Sequence, residues 1–142
     1  MREMAKEDIL EFVKSRAWGT LIGVEENKPY AIEVSYGTDG EFIYCGSMPG
    51  GRMSRCLRIN DNVVFKICDS DRTSRKHTAV IIEGKAERLT NYDDILKSVR
   101  SIASQVEIDE NSLDDIAERC SKHPESNFIR IPIKVCGGRI QK

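Results

Sequence analysis

The sequence predicts a mainly β fold of the α+β class, a small antiparallel barrel of six strands with helices on its outside. Apolar and polar residues alternate, with the period of half-buried strands, in several stretches that are joined by short turns. Between these stretches the period changes in four places to that of an amphipathic helix. With 142 residues and no linker or low-complexity segment, the chain is expected to form one domain over residues 1–142.

The first half of the chain is predicted to be a helix followed by three strands. Residues 6–16 are predicted to be helical, because Ile9, Phe12 and Val13 form one apolar stripe. Strands are then predicted over about residues 17–24, 30–36 and 42–47, with the polar residues 25–28 as the loop between the first two. The turn at residues 38–40 contains Asp-Gly, which supplies the positive φ of a tight hairpin. Because the connections are short, these three strands are expected to pair in antiparallel order.

The second half is predicted to contribute three more strands and three helices. The strands are placed at residues 62–69, 77–89 and 129–135, and the helices at residues 52–60, 92–106 and 113–120. The run from Ala79 to Ile82 is apolar on both faces, which is typical of a central strand. Pro132 lacks an N–H group, so the last strand is expected at an edge or beside a bulge. For Trp18 and the strand tyrosines, packing in the core is the default expectation.

Composition excludes several classes of function. The 22 basic and 23 acidic residues leave a net charge of −1, which argues against a general nucleic-acid-binding protein. The longest apolar run is four residues, too short to cross a membrane, and the charged start of the chain does not resemble a secretory signal. The five cysteines are widely spaced without a C-x-x-C pair, as expected for reduced thiols in a cytoplasmic protein without a metal site.

The segment around residues 49–55 is the best candidate for a binding site. Gly50 and Gly51 follow a predicted strand and allow close approach of a ligand, and a helix is predicted to begin at Arg52. Free N–H groups at a helix start bind anions, and an arginine adds a bidentate donor suited to phosphate, which Arg55 can share. The alternative is a glycine turn followed by a solvent-exposed arginine face. No catalytic motif stands out elsewhere, so no catalytic residue is assigned.

Five segments of the chain resemble, in order and spacing, the motifs of one known family. They are WGTLIGV at 18–24, KPYAIEVSY at 28–36, the stretch 43–60 that contains Gly51-Arg52, VIIEGKAE at 80–87 and IPIKVCG at 131–137. On these segments, which cover nearly the whole chain, the protein resembles the FMN-binding split-barrel proteins related to pyridoxamine phosphate oxidase. It is most similar to the branch that includes the nitroimidazole-resistance proteins.

This resemblance implies a six-stranded split barrel, FMN bound at the interface of a homodimer, and oxidoreductase activity toward a small-molecule substrate or electron donor. It implies that Arg52 binds the FMN phosphate, that Ser47 lies near the ribityl phosphate, and that the backbone of Val34 and Ser35 meets the flavin ring. The full set of expected cofactor-binding residues is Glu33, Val34, Ser35, Ser47, Gly51, Arg52, Met53, Arg55 and Thr78.

The chain departs from the family pattern at four positions. Relative to the family motifs, Met53 replaces a lysine, Gly46 a histidine, Glu33 a proline and Ala79 a serine. The first change removes a cation from the expected phosphate site, for which Arg55 or the basic loop at residues 72–77 can compensate. Thr78 supplies a hydroxyl one position before the missing serine.

Two other functions remain open at this point. One is a flavin-binding module without turnover, such as a sensor or a carrier. The other is a haem-binding or deazaflavin-binding relative, in which His77 or His123 would ligate iron.

Overall fold

Four helices and a single antiparallel sheet make up the computed structural model, which describes residues 1–47, 49–106, 113–122 and 127–141. The helices are α1 (Lys6–Ser15), α2 (Arg52–Ile59), α3 (Tyr92–Val106) and α4 (Leu113–Lys122). The strands are β1 (Arg2–Glu3), β2 (Trp18–Glu25), β3 (Lys28–Thr38), β4 (Phe42–Gly46), β5 (Asn62–Ser70), β6 (His77–Lys85), β7 (Glu87–Arg88), β8 (Phe128–Pro132) and β9 (Val135–Gln141).

The sheet curls into a half-barrel around the main core. Its strand order is β1-β9-β6-β5-β2-β3-β4-β8-β7, and every pair is antiparallel. As predicted, β6 is central, since it pairs with β5 on one side and with β9 on the other. Fully buried side chains of the inner face include Leu21, Tyr36, Phe65, Ile67, Val80 and Ile82.

Both predicted hairpins form, and the local sequence explains each. Glu26 and Asn27 join β2 to β3 with φ values of 51° and 63°, which are the angles of the tight turn that matches strand twist. In the β3–β4 turn, a carboxylate oxygen of Asp39 accepts hydrogen bonds from the N–H groups of Glu41 and Phe42. Gly40 has a φ of 89° there, a conformation that glycine adopts without strain.

A second apolar cluster joins α3 and α4 to the outer side of β3 and β4. It consists of Tyr44, Leu89, Ile95, Val99, Ala103, Leu113 and Ala117. Helix α3 approaches β3 so closely that a Cβ atom on Gly37 would lie 2.2 Å from the backbone of Ser101. Since backbone atoms cannot move aside, this packing requires glycine at position 37.

The structure corrects the expected count of six strands, because it contains nine among the described residues. The predicted strand at 77–89 is interrupted at Ala86, whose N–H donates to the carbonyl of Asp61, so β6 and β7 are separate. The predicted strand at 129–135 is divided at residues 133–134, where the chain bends from β4 toward β6. Pro132 ends β8 there, consistent with its missing donor.

The helices that the structure describes include none with the length and hydropathy of a membrane span.

A candidate anion site at the start of helix α2

The start of α2 presents N–H groups that no side chain caps. Gly50 has a φ of 71°, and Gly51 is the N-cap residue in an extended conformation. Neither a side-chain cap nor an acidic residue is present in the first turn, and the three charged residues of the helix are Arg52, Arg55 and Arg58. The positive end of the helix dipole and the nearby guanidinium groups together favour an anion at this position.

Arg52 is held beside the helix start by the β2–β3 hairpin. Its Cζ atom lies 4.3 Å from the centre of the Tyr30 ring, and its Nε atom lies 3.5 Å from Oε1 of Glu25. The Arg52 side chain is 42% exposed and therefore accessible to a ligand. Arg55 is also exposed, so both arginines predicted for the phosphate lie at the surface of α2.

Met53 faces away from that surface, into the core. Its side chain is 2% exposed, and its sulfur lies 3.1 Å from the place where a Cβ atom on Gly23 would stand. The position that carries a lysine in the family motif therefore packs against β2 in this chain. Only the backbone N–H of Met53 is placed to meet a ligand at the start of the helix.

Cys56 also contacts Glu25, the ion-pair partner of Arg52, although no sequence pattern pointed to this cysteine. Its thiol donates to Oε2 of Glu25 over 3.8 Å, and the side chain is buried. Burial raises the pKa of Cys56, and the negative charge of Glu25 acts in the same direction. Cys56 is therefore a neutral thiol and a hydrogen-bond donor, rather than a nucleophile.

On the other side of α2, Ser47 borders a cavity of about 380 Å³ that is bounded by β7 and β8. The Nδ2 atom of Asn127 donates to the carbonyl of Ser47 over 3.1 Å. The hydroxyl of Ser54 donates to Oδ1 of Asn127 over 2.8 Å. Ser54 and Asn127 were missed by sequence reasoning, because their pairing spans 73 positions and follows no local pattern.

The remaining predicted residues lie on β3 and β6. Val34 points into the core at 7% exposure, so only its backbone is available to a ligand. Glu33 and Ser35 lie on the outer face, where the hydroxyl of Thr20 donates to Glu33. Thr78 pairs with Asp69 and Ile140 near the start of β6.

Thr78 and Arg52 are at opposite ends of the sheet. Asp69, the partner of Thr78, forms an ion pair with Arg16 just before β2, whereas Arg52 contacts Glu25 at the end of β2. Strand β2 has 8 residues and spans about 23 Å. A single chain therefore does not bring Thr78 to the start of α2.

Apolar side chains lie on the outer side of β2, β5, β6 and β9, with Thr20, Lys66 and Glu83 between them, and we call this surface the outer apolar face. Its members are Trp18, Ile22, Val24, Val64, Ile81 and Val135. Trp18 and Val135 are 61% and 60% exposed, so the expectation that Trp18 packs in the core is wrong. Among the described helices, α2 contacts β2 and α1 contacts β9, yet Trp18 and Val135 stay exposed.

Of the two histidines that were considered as iron ligands, the structure describes only His77. Nδ1 of His77 lies 2.7 Å from the hydroxyl of Ser70, and His123 is outside the described residues. No group of three or more His, Cys, Asp or Glu side chains in the described ranges is placed to hold a metal ion.

The model of the pyridoxamine 5'-phosphate oxidase family matches residues 5–140 of the sequence, which is nearly the whole chain. The chain belongs to this family. The uncapped N–H groups at the start of α2 and the two arginines beside them are donors suited to a phosphate or another anion.

Solved structures from several bacteria share the fold. One is assigned to 5-nitroimidazole antibiotic resistance in Bacteroides thetaiotaomicron, with a TM-score of 0.76, 18% identity, and coverage of 98% of this chain and 87% of that one. An FAD-binding protein from Mesorhizobium loti has a TM-score of 0.74, 19% identity, and coverage of 99% and 98%. A heme-binding protein from Mycobacterium smegmatis has a TM-score of 0.72, 18% identity, and coverage of 99% and 58%.

Among curated sequences, an uncharacterized protein of Rhizobium meliloti (strain 1021) is 26% identical over 89 residues. The match covers 63% of this chain and 58% of that protein, so the chain aligns with little more than half of this relative's length.

Proposed function

We propose that this protein is an FMN-dependent oxidoreductase that holds the FMN phosphate at the start of α2. The observation that carries the proposal is the uncapped first turn of α2 with Arg52 beside it. A phosphate there would accept backbone N–H groups and the arginine fork, while Arg55 would add a second positive charge. The backbone of β3 and the polar groups of Glu33 and Ser35 are the candidates for contacts with the flavin ring.

The bound flavin would supply hydride or electron transfer, and the chain would bind and orient it. No acid or base is assigned, because the charged groups beside Arg52 already pair with one another. The substrate and the electron donor are small molecules in this proposal.

We further propose a homodimer that is formed by the outer apolar face. This surface carries apolar side chains on four neighbouring strands, and two of them, Trp18 and Val135, are 61% and 60% exposed. A twofold axis through it would cover the apolar residues of both chains at once.

The proposal is tested by titrating the purified protein with FMN, FAD and riboflavin and following binding by calorimetry. FMN is expected to bind at least tenfold more tightly than riboflavin, which lacks the phosphate. Equal affinities for FMN and riboflavin would overturn the phosphate site. Tighter binding of FAD than of FMN would show that the cofactor is FAD, and the protein would still be a flavin-binding protein.

Absorption and turnover measurements separate the remaining alternatives. The absorption spectrum of the protein as purified distinguishes flavin from haem. For the FMN-loaded protein, reduction by NADH or NADPH followed by reoxidation with an acceptor is expected over many cycles. A protein that holds FMN but shows no turnover with any donor and acceptor pair would instead be a flavin-binding module.

A further inference from the structure

The guanidinium group of Arg52 already has an anionic partner within the chain. Oε1 of Glu25 lies 3.5 Å from its Nε atom, and the Tyr30 ring lies beneath it at 4.3 Å from Cζ. The Glu25 side chain is 24% exposed, less than the arginine that it contacts. The arginine that would bind a phosphate is therefore shared with a carboxylate that belongs to the hairpin.

Glu25 is itself held in place on the helix side. The thiol of Cys56 donates to Oε2 of Glu25 over 3.8 Å, so the two carboxylate oxygens bridge Cys56 and Arg52. Cys56 follows Arg52 by about one helical turn, so Glu25 contacts α2 at two positions along the same side of the helix. The contact with Tyr30 does not depend on Glu25, since stacking on a ring face needs no carboxylate.

We propose that Glu25 occupies Arg52 in competition with the anionic ligand, and so sets how strongly the α2 site distinguishes phosphorylated from unphosphorylated flavin. This inference rests on the proposed function and adds to it a residue that controls specificity. A phosphate that reaches the start of α2 meets an arginine that is already partly neutralised. Removing the charge of Glu25 frees Arg52 and also removes the repulsion between carboxylate and phosphate.

The test is calorimetric titration of Glu25→Gln with FMN and with riboflavin. The variant keeps the size of the side chain and its contact with Cys56. At low ionic strength, FMN is expected to bind about three- to tenfold more tightly than to the unaltered protein, the effect of one charge a few ångströms from the ligand in a partly solvated site. Riboflavin affinity is expected to stay within about twofold, because riboflavin carries no charge for Glu25 to repel.

The matched control is Glu26→Gln. Glu26 is the next residue, carries the same charge and lies exposed in the turn without an ion pair to Arg52. It is expected to leave both affinities within about twofold. In the background of Arg52→Ala, Glu25→Gln is expected to give a smaller gain in FMN affinity, because the part that comes from freeing Arg52 is lost while the relief of direct repulsion remains.

The outcomes separate this inference from the proposed function. If the unaltered protein prefers FMN but Glu25→Gln leaves that preference unchanged, or weakens it, Glu25 is not a competitor and the inference is wrong. An equal gain for Glu25→Gln and Glu26→Gln would show only diffuse charge and would also overturn it. If the unaltered protein binds FMN and riboflavin equally, the phosphate site itself is wrong, and the role of Glu25 falls with it.

Discussion

At the scale of single residues, the arginines of α2 differ in what surrounds them. Arg52 combines an ion pair with a ring contact, so its guanidinium has a defined position near the helix start. Arg58 is exposed and lies about 120° around the helix axis from Arg52. Substitutions of Arg52 and Arg58 therefore compare a guanidinium group fixed near the start of α2 with one that is distant from it.

We expect Arg52→Ala to weaken FMN binding about tenfold to a hundredfold, because a charge-assisted contact to phosphate is worth about 1.5–3 kcal/mol. Arg52→Lys should restore only part of the affinity, since an ammonium group cannot form the paired contact. Calorimetric titration with FMN measures both. The control is Arg58→Ala, which should change the affinity by less than about threefold. Equal losses for Arg52→Ala and Arg58→Ala would contradict a specific phosphate contact.

Because Met53 is buried, a lysine at this position, as in the family motif, would not lie beside a ligand at the surface of α2. Met53→Lys, which restores the family pattern, would bring an ammonium group into the core beneath β2 instead of beside a phosphate. We expect it to lower the free energy of unfolding by about 2–5 kcal/mol, whereas Met53→Leu should cost less than about 1.5 kcal/mol. Urea unfolding measures both variants. A stable Met53→Lys protein that binds FMN more tightly would show that this side chain can reach the ligand.

At the scale of elements, the β3–β4 hairpin depends on one carboxylate. Burial alone would raise the pKa of Asp39, but hydrogen bonds from the N–H groups of Phe42 and Glu41, from Lys97 and from the hydroxyl of Tyr44 outweigh it. Together they lower the pKa to about 2. The charged form of Asp39 therefore stabilises the turn, and its ion pair with Lys97 connects the turn to α3.

This turn predicts a pH-dependent contribution to stability. Because the pKa of Asp39 is lower in the folded state than in the unfolded chain, its contribution is complete above about pH 4 and is lost as the pH falls toward 2. Asp39→Ala should lower the free energy of unfolding by about 1 kcal/mol at pH 7, a value that allows for solvent screening of the turn. Urea unfolding at a series of pH values measures the difference. A difference that persists unchanged at pH 2 would contradict the charge-based explanation.

The elements that could be predicted from the sequence are those that depend on a local pattern of residues. The helices, the hairpin turns and the central position of β6 follow from periodicity and from Asp-Gly chemistry. The division of the last strand was not predictable, because β8 and β9 are defined by different partners, β4 and β6, and not by a local break in alternation. In the site, Arg52 was found from a local pattern, whereas Glu25, Tyr30 and Asn127 join it or its neighbours only through the folded sheet.

At the scale of the whole molecule, alternation revealed two faces of β2 but not which one faces the core. Both faces carry apolar residues, and Leu21 is buried while Trp18 on the opposite face is exposed. Apolar residues on both faces of one strand favour a packing partner on each face. The half-barrel core packs against one face of β2, and in the proposed dimer a second chain packs against the other.

The dimer is tested with a charge on the outer apolar face. We expect light scattering to find a dimer at micromolar concentration, and Val135→Glu to weaken it by at least tenfold, because the new carboxylate would be buried at the interface beside Glu83. Tyr92→Glu is the control, since Tyr92 is exposed on α3 and outside that face. A monomer that still binds FMN would contradict the proposed assembly.

Trp18 is the sole tryptophan of the sequence, and 61% of its surface is exposed on the outer apolar face. Its fluorescence therefore comes from one known place, with no second indole to subtract. In the proposed dimer the indole would leave water, and its emission would shift to shorter wavelength. A flavin bound nearby would quench the same emission by energy transfer. Trp18 is therefore a label-free optical probe with which the proposed assembly can be followed on dilution and the proposed flavin binding on titration.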